Sequence, residues 1–238
     1  MSRLTRRPAH ATTRRVLRAL LLDLDGTLID TPQAIVEVAQ GTLAALGVSP
    51  ADPQAIRDTI GLPLPVALGQ LLGKGPVAGA EAAEIYRVLW HTHVTPRLPQ
   101  LLYPGVLDGL AQLKARGLRL AVVTGKSQEG ADGTVDKAGL RPFMEVVLGY
   151  TSVPNPKPAP DIALKALERL DLGPALALVV GDANHDLQMA HRAGIRAIAV
   201  TYGAQPESAL RLENPAFVAH SFPEVVRIAL AEANLQTP

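Results

Sequence analysis

Short apolar runs alternate with helix-like segments along most of this 238-residue chain, and that alternation limits the possible folds more than any other feature. Apolar stretches of strand length occupy 17 to 24, 118 to 124, 146 to 149, 175 to 181, 195 to 201 and 217 to 219. Between and after them, 105 to 116, 127 to 138, 160 to 171, 184 to 193, 206 to 212 and 222 to 232 carry apolar residues at helical spacing. Several open on start signals such as Ser127 or Pro160-Asp161. Parallel neighbours need a long crossover between them, and a helix supplies it. The expected fold class is therefore α/β, a doubly wound parallel sheet of Rossmann-like form.

One interval breaks the alternation. Residues 31 to 103 offer helical patterns near 33 to 46, 53 to 60, 64 to 72 and 80 to 94, separated by Gly and Pro clusters, and no strand. They read as a small α-helical cap inserted beyond the first strand, which leaves 17 to 30 and 104 to 238 as the core domain. Residues 1 to 16 read as a basic, flexible tail. Up to residue 18 the chain carries Arg3, Arg6, Arg7, Arg14, Arg15 and Arg18 and no acid, while 17 bases face 22 acids over the remainder. No apolar segment follows that would make this start an export signal.

Composition narrows the partners. An apolar content of 47% suffices for a large core, whereas 3% aromatic residues leave few platforms for stacking bases, so nucleic acid is not an expected partner. No run of 18 apolar residues occurs, so no membrane span is expected. The absence of Cys excludes disulfides, thiolate metal sites and thiol nucleophiles. The expectation is a soluble cytoplasmic protein, monomeric or homodimeric.

In an open α/β sheet, ligands bind beyond the carboxyl ends of the strands. The first strand ends in Asp23-Leu24-Asp25-Gly26, where residues two apart share a face and the Asp-Gly step turns the chain. The second ends in Thr124-Gly125-Lys126. A Pro-rich loop after the third carries Lys157, and the fourth ends in Gly181-Asp182, with Asp186 four residues on. Each piece alone has an ordinary explanation: a turn, a strand-to-helix junction capped by Ser127, a solvated lysine, an acid favoured at a helix N-terminus. Together they form a set suited to phosphate. Gly125-Lys126-Ser127 looks like the end of a nucleotide-binding loop, but Leu120 stands where that loop needs Gly. His91 and His93 are too closely spaced to share a helix face, so zinc is not expected. Trp90 is expected in the cap's core, and His185 and His191 in solvent.

These motifs, in this order, resemble the haloacid dehalogenase superfamily, and most closely its phosphoglycolate phosphatase-like branch. That branch has a helical cap between the first two motifs, followed by a segment such as Tyr103-Pro104-Gly105-Val106. The resemblance implies a Mg²⁺-dependent phosphomonoester hydrolase acting on a small phosphorylated metabolite, phosphoglycolate among the candidates. It makes Asp23 the nucleophile that forms an aspartyl-phosphate and Asp25 the general acid and then base. Thr124 and the Gly125 amide bind the phosphoryl group, and Lys157 places a charge beside it. Mg²⁺ ligands are Asp23, the backbone carbonyl of Asp25, Asp182, and Asp186 directly or through water. A sugar-phosphate mutase, an inorganic pyrophosphatase and a non-catalytic phosphatase-fold binding protein remain as alternatives. Asp25 argues against a dehalogenase, whose chemistry leaves no oxygen to protonate. Lys74, in a Gly-rich loop, is a poor match to the cap lysine that cleaves phosphonates. Arg57 and Gly61-Leu62-Pro63-Leu64 resemble the cap loop that meets the substrate. Gly125 replaces an Asn of many relatives, and Tyr150-Thr151-Ser152 an acidic pair, which weighs against phosphoglycolate rather than against phosphatase chemistry.

Overall fold

Six parallel strands form one sheet in the computed structural model, which describes residues 16 to 234. They are β1 (Ala19–Leu22), β2 (Arg119–Thr124), β3 (Val146–Gly149), β4 (Ala177–Gly181), β5 (Arg196–Val200) and β6 (Phe217–Ala219), in the spatial order β3-β2-β1-β4-β5-β6. Each expected strand is present, and each long apolar run is trimmed at its ends. Leu20 aligns with Leu120 on one side and Leu178 on the other, which puts β1 at the centre. The chain winds outward from β1 to β3, then returns to start β4 on the other side of β1. The crevice at that reversal is where such sheets bind ligands.

Alternation along the strands supplies two apolar faces. Leu20 and Leu22 belong to one buried cluster, which also takes in α5 (Val106–Ala115) and α10 (Phe222–Asn234). Ala19 and Leu21 belong to a second, with α7 (Asp161–Arg169), α8 (Asn184–Arg192) and α9 (Glu207–Leu212). After β2, α6 (Gln128–Lys137) starts at Ser127, whose hydroxyl accepts the Gly130 amide at 3.1 Å, as the sequence suggested.

The interval between β1 and β2 is helical. It holds α1 (Pro32–Ala45), α2 (Pro53–Arg57), α3 (Leu64–Leu72), α4 (Gly75–His93) and a 3₁₀ segment, Thr95–Leu101. Helix α4 starts five residues before its apolar pattern does. Gly75-Pro76 reads as a breaker, yet Pro in the first turn forfeits an amide that has no partner there. Gly79 then lets α4 press on α3, since a Cβ there would overlap the Pro65 carbonyl. Leu68, Ala82, Tyr86 and Trp90 from these helices join the same apolar cluster as Leu20 and Leu22.

β1 stops at Leu22 instead of reaching residue 24 as expected. The Leu24 carbonyl accepts the amides of Thr27, Leu28 and Ile29 at 3.3, 2.9 and 3.0 Å, so the chain curls into a tight loop. Gly26 takes φ +79°, and a Cβ there would run into the Asp182 carboxylate. The basic tail expected over 1 to 16 lies outside the described residues save for Val16. No described helix is long and apolar enough to cross a membrane.

Candidate active site

The reversal of winding brings β1 and β4 side by side, and their C-terminal ends set Asp23 and Asp182 together; the first turn of α8 adds Asp186. One carboxylate oxygen from each lies within 4.8 Å of the others, and all three side chains are buried. Asp182 is fixed from two directions, accepting from Thr27 Oγ1 at 2.8 Å and from the Ala204 amide at 2.8 Å. Asp186 accepts the Ala183 amide at 3.2 Å, the contact of an ordinary helix-start acid, and still turns its other oxygen to the cluster. Gly203 stays clear of this carboxylate group because a Cβ on it would overlap Asp182.

Lys157 sits inside the cluster, 2% exposed rather than solvated. Its ammonium donates to Asp23 Oδ1 at 2.8 Å and to Asp186 Oδ1 at 2.6 Å. Burial alone would lower its pKa; the Asp186 and Asp23 carboxylates more than offset that and hold it above the ordinary lysine range. One lysine does not balance three acids. Burial first, then Asp186 and Asp25, push the Asp23 carboxyl up to about 7 against the pull of Lys157. Asp182 is raised well above the usual range by burial and then by Asp186 and Asp23, although the Ala204 amide and Thr27 oppose this. Such a cluster of hard oxygen donors with surplus negative charge is of the kind that could hold a metal ion.

Asp25 stands apart from this trio. Its Oδ1 accepts from Thr31 Oγ1 at 2.7 Å, and its Oδ2 pairs with Lys126 at 2.9 Å. The two motif acids share a cavity without sharing a strand face, because β1 has already ended before either is reached. Thr124, the last residue of β2 and buried, and Gly125 line the same cavity. Gly125 is a point of close approach: a Cβ there would strike the backbone carbonyl of Gly61, in the loop before α3.

Lys126, Thr27, Thr31 and Tyr86 escaped the sequence reading. In sequence Lys126 stands out only within a nucleotide-loop string that lacks its Gly, although it follows the Thr124-Gly125 motif directly. Trp90 is buried as expected but also faces the cavity, with Lys126 Nζ 4.3 Å from its ring centre. His185 corrects an expectation. It is half-buried against Gly61, its Nδ1 has no partner, and burial lowers its pKa. His191 is exposed, as are His91 and His93. Arg57 is off the cavity wall and donates to Gln33 Oε1 at 2.6 Å, whereas Gly61, Leu62 and Leu64 of the neighbouring loop do line it.

The haloacid dehalogenase-like hydrolase family model matches residues 20–200, which includes Asp23, Asp25, Thr124, Gly125, Lys157, Asp182 and Asp186. The chain belongs to this family. It is 41% identical over 221 residues to the "Probable phosphatase IndB" of Dickeya dadantii, covering 92% of this chain and 96% of that one. It is 36% identical over 196 residues to a plasmid-encoded phosphoglycolate phosphatase of Cupriavidus necator, covering 81% and 84%. Among solved structures, a predicted phosphatase from Clostridium acetobutylicum superposes with a TM-score of 0.81 at 22% identity, over 91% of this chain and 99% of that one, a likeness of fold. A haloacid dehalogenase-like hydrolase from Streptococcus pneumoniae superposes at 0.77 with 28% identity, over 89% and 98%.

Proposed function

We propose that this chain is a Mg²⁺-dependent phosphomonoester hydrolase that works through an aspartyl-phosphate on Asp23. Phosphatase activity rests on the family and on the relatives named for it; the mechanism rests on one observation, three buried carboxylates within 4.8 Å of one another, two of them bonded to Lys157 and one of these, Asp23, lining a cavity. The proposed cap is the helical interval 31 to 103, with the core made by 17 to 30 and 104 to 238.

Asp23 has one oxygen held by Lys157, which leaves the other to attack phosphorus. As that bond forms, the bond from phosphorus to the leaving oxygen breaks, and Asp25 gives the leaving oxygen a proton. Asp25 then takes a proton from water as the water attacks, the bond from phosphorus to Asp23 breaks, and inorganic phosphate leaves. Lys157, the Thr124 hydroxyl and the Gly125 amide offset charge on the equatorial oxygens. Asp23, Asp182 and Asp186, with the Asp25 backbone carbonyl, would hold Mg²⁺, which lowers the repulsion between nucleophile and dianionic substrate. Thr27 and the Ala204 amide fix Asp182 for that role.

Phosphate release from a panel of phosphomonoesters, with Mg²⁺ or with EDTA, tests the reading. Turnover should require the ion, and Asp23→Asn should lose at least about a thousandfold while keeping its far-ultraviolet circular dichroism. Near-normal rates in that variant would remove Asp23 as nucleophile.

A further inference from the structure

We infer that the leaving group this enzyme accepts is a bulky apolar or aromatic alcohol seated against Trp90 and Tyr86, rather than a short anionic acid. The inference rests on the phosphatase reading above and names its substrate class.

The cavity that opens from Asp23 and Asp25 has a volume of about 490 Å³. That is the size of sites for whole small molecules, far more than a phosphoryl group and two carbons would fill. Its walls include Ile35, Leu64, Leu68, Leu71 and Leu98. The chain has only eight aromatic residues, and three of them, Tyr86, Trp90 and Tyr150, line this one space. Tyr86 and Trp90 lie one helical turn apart on α4 with ring centres 5.9 Å apart and planes 15° from parallel, a stacked aromatic pair on the cavity lining, with the Lys126 ammonium over the Trp90 ring.

The charges on the wall do not suit an acid. Lys126 is committed to Asp25 at 2.9 Å, and Arg87 is paired with Glu84. Lys137 and His91 on the same lining are exposed and pair with no described carboxylate, Glu129 adds a negative charge, and Asp136 is held by Arg141. A carboxylate brought into this space would lose water, and the cations on the lining are either already paired, as Lys126 and Arg87 are, or exposed to solvent like Lys137, where an ion pair is worth little. Tyr86 supplies a polar handle on this lining. The Tyr86 hydroxyl bonds no described residue, and burial, followed by the nearby Asp25 carboxylate, pushes its ionisation up, so it stays a donor. An alcohol with an apolar body and one acceptor uses all of these groups.

Kinetics and binding test this separately. With Mg²⁺ present, kcat/KM should rise at least about tenfold from methyl to benzyl phosphate, and benzyl phosphate should exceed phosphoglycolate by a similar factor. Leu71→Trp, which fills the cavity, should lower the benzyl-to-methyl ratio at least about tenfold. A flat series, or phosphoglycolate equal to or better than benzyl phosphate, overturns the inference. Trp90 is the only tryptophan, so its fluorescence reports occupancy whether or not any ester is cleaved. In Asp23→Asn with Mg²⁺, benzyl phosphate should change it saturably at concentrations at least about tenfold below phosphoglycolate. The same result with no ester hydrolysed by the unaltered protein would sink the phosphatase reading and leave the ligand class standing. No response to benzyl phosphate, or a tighter one to phosphoglycolate, would sink the inference itself.

Discussion

The ammonium of Lys126 lies 4.3 Å from the centre of the Trp90 ring, so a lysine from the end of β2 and a tryptophan from α4 meet across the cavity. The same ammonium bonds Asp25. A cation over an aromatic face and largely out of water is worth roughly 0.5–2 kcal/mol. A double-mutant cycle on urea unfolding, with Lys126→Met and Trp90→Leu, should return a coupling in that range. Strict additivity would mean that the two side chains are neighbours without consequence.

The carboxylate cluster predicts how stability follows pH. Asp23 has its pKa raised from 3.8 to about 7 in the folded chain. Folding therefore binds a proton, and the stability this contributes is full below pH 3.8 and lost as pH climbs through about 7. Asp182 shifts in the same direction. Metal-free Asp23→Asn should therefore gain in Tm over the unaltered protein as the buffer goes from about pH 5 to about pH 8. Mg²⁺ should raise the Tm of the unaltered protein more at the higher pH, because its ligands must be deprotonated. A gap between the two proteins that stays constant with pH would contradict the charge argument.

Thr27 should matter to the cluster although it touches no substrate. Its hydroxyl donates to the buried Asp182 carboxylate at 2.8 Å. Thr27→Val keeps the shape and removes the donor, at an expected cost of about 1.5–3 kcal/mol in unfolding free energy. The Mg²⁺ concentration giving half-maximal activity should rise about 10- to 100-fold. Titration of activity with Mg²⁺ reads this directly; an unchanged midpoint would show that the Ala204 amide alone positions Asp182.

Gly125 leaves room for the backbone at Gly61. Gly125→Asn places a side chain into that carbonyl, so the loop before α3 must shift. Overpacking of this kind costs about 1–3 kcal/mol, and because the loop lines the cavity, KM should rise. Thermal melts with steady-state kinetics check both effects. An Asn variant as stable and as active as the parent would show that the loop yields freely.

The layout of the core could be read from the sequence because each strand and helix there is set by its own pattern. Ser127 caps α6 as expected, and Asp23, Thr124, Lys157, Asp182 and Asp186 come together at the ends of parallel strands. What escaped was pairing across distance. Lys126 has an unremarkable sequence context, and its two partners, Asp25 and Trp90, lie 101 and 36 positions back in the chain. Thr27 looks like part of a turn until Asp182, 155 residues on, arrives beside it. His185 was misjudged because its burial comes from the Gly61 loop and not from its own helix. Local rules also misplaced the start of α4, where Gly75-Pro76 begins a helix instead of ending one.

The position of β1 has a consequence for synthesis. The strand that leads into Asp23 is made first, yet one of its two neighbours, β4, begins only at Ala177. A nascent chain that has completed β3 holds Asp23, Asp25 and Thr124 but lacks Lys157, Asp182 and Asp186. Until β4 emerges, Leu20, Leu21 and Leu22 have an open edge, which favours late closure of the sheet and gives chaperones a surface to hold. Asp23 therefore waits for more than half the chain before it acquires Lys157, Asp182 and Asp186, and the buried carboxylate cluster cannot assemble on the half-made polypeptide.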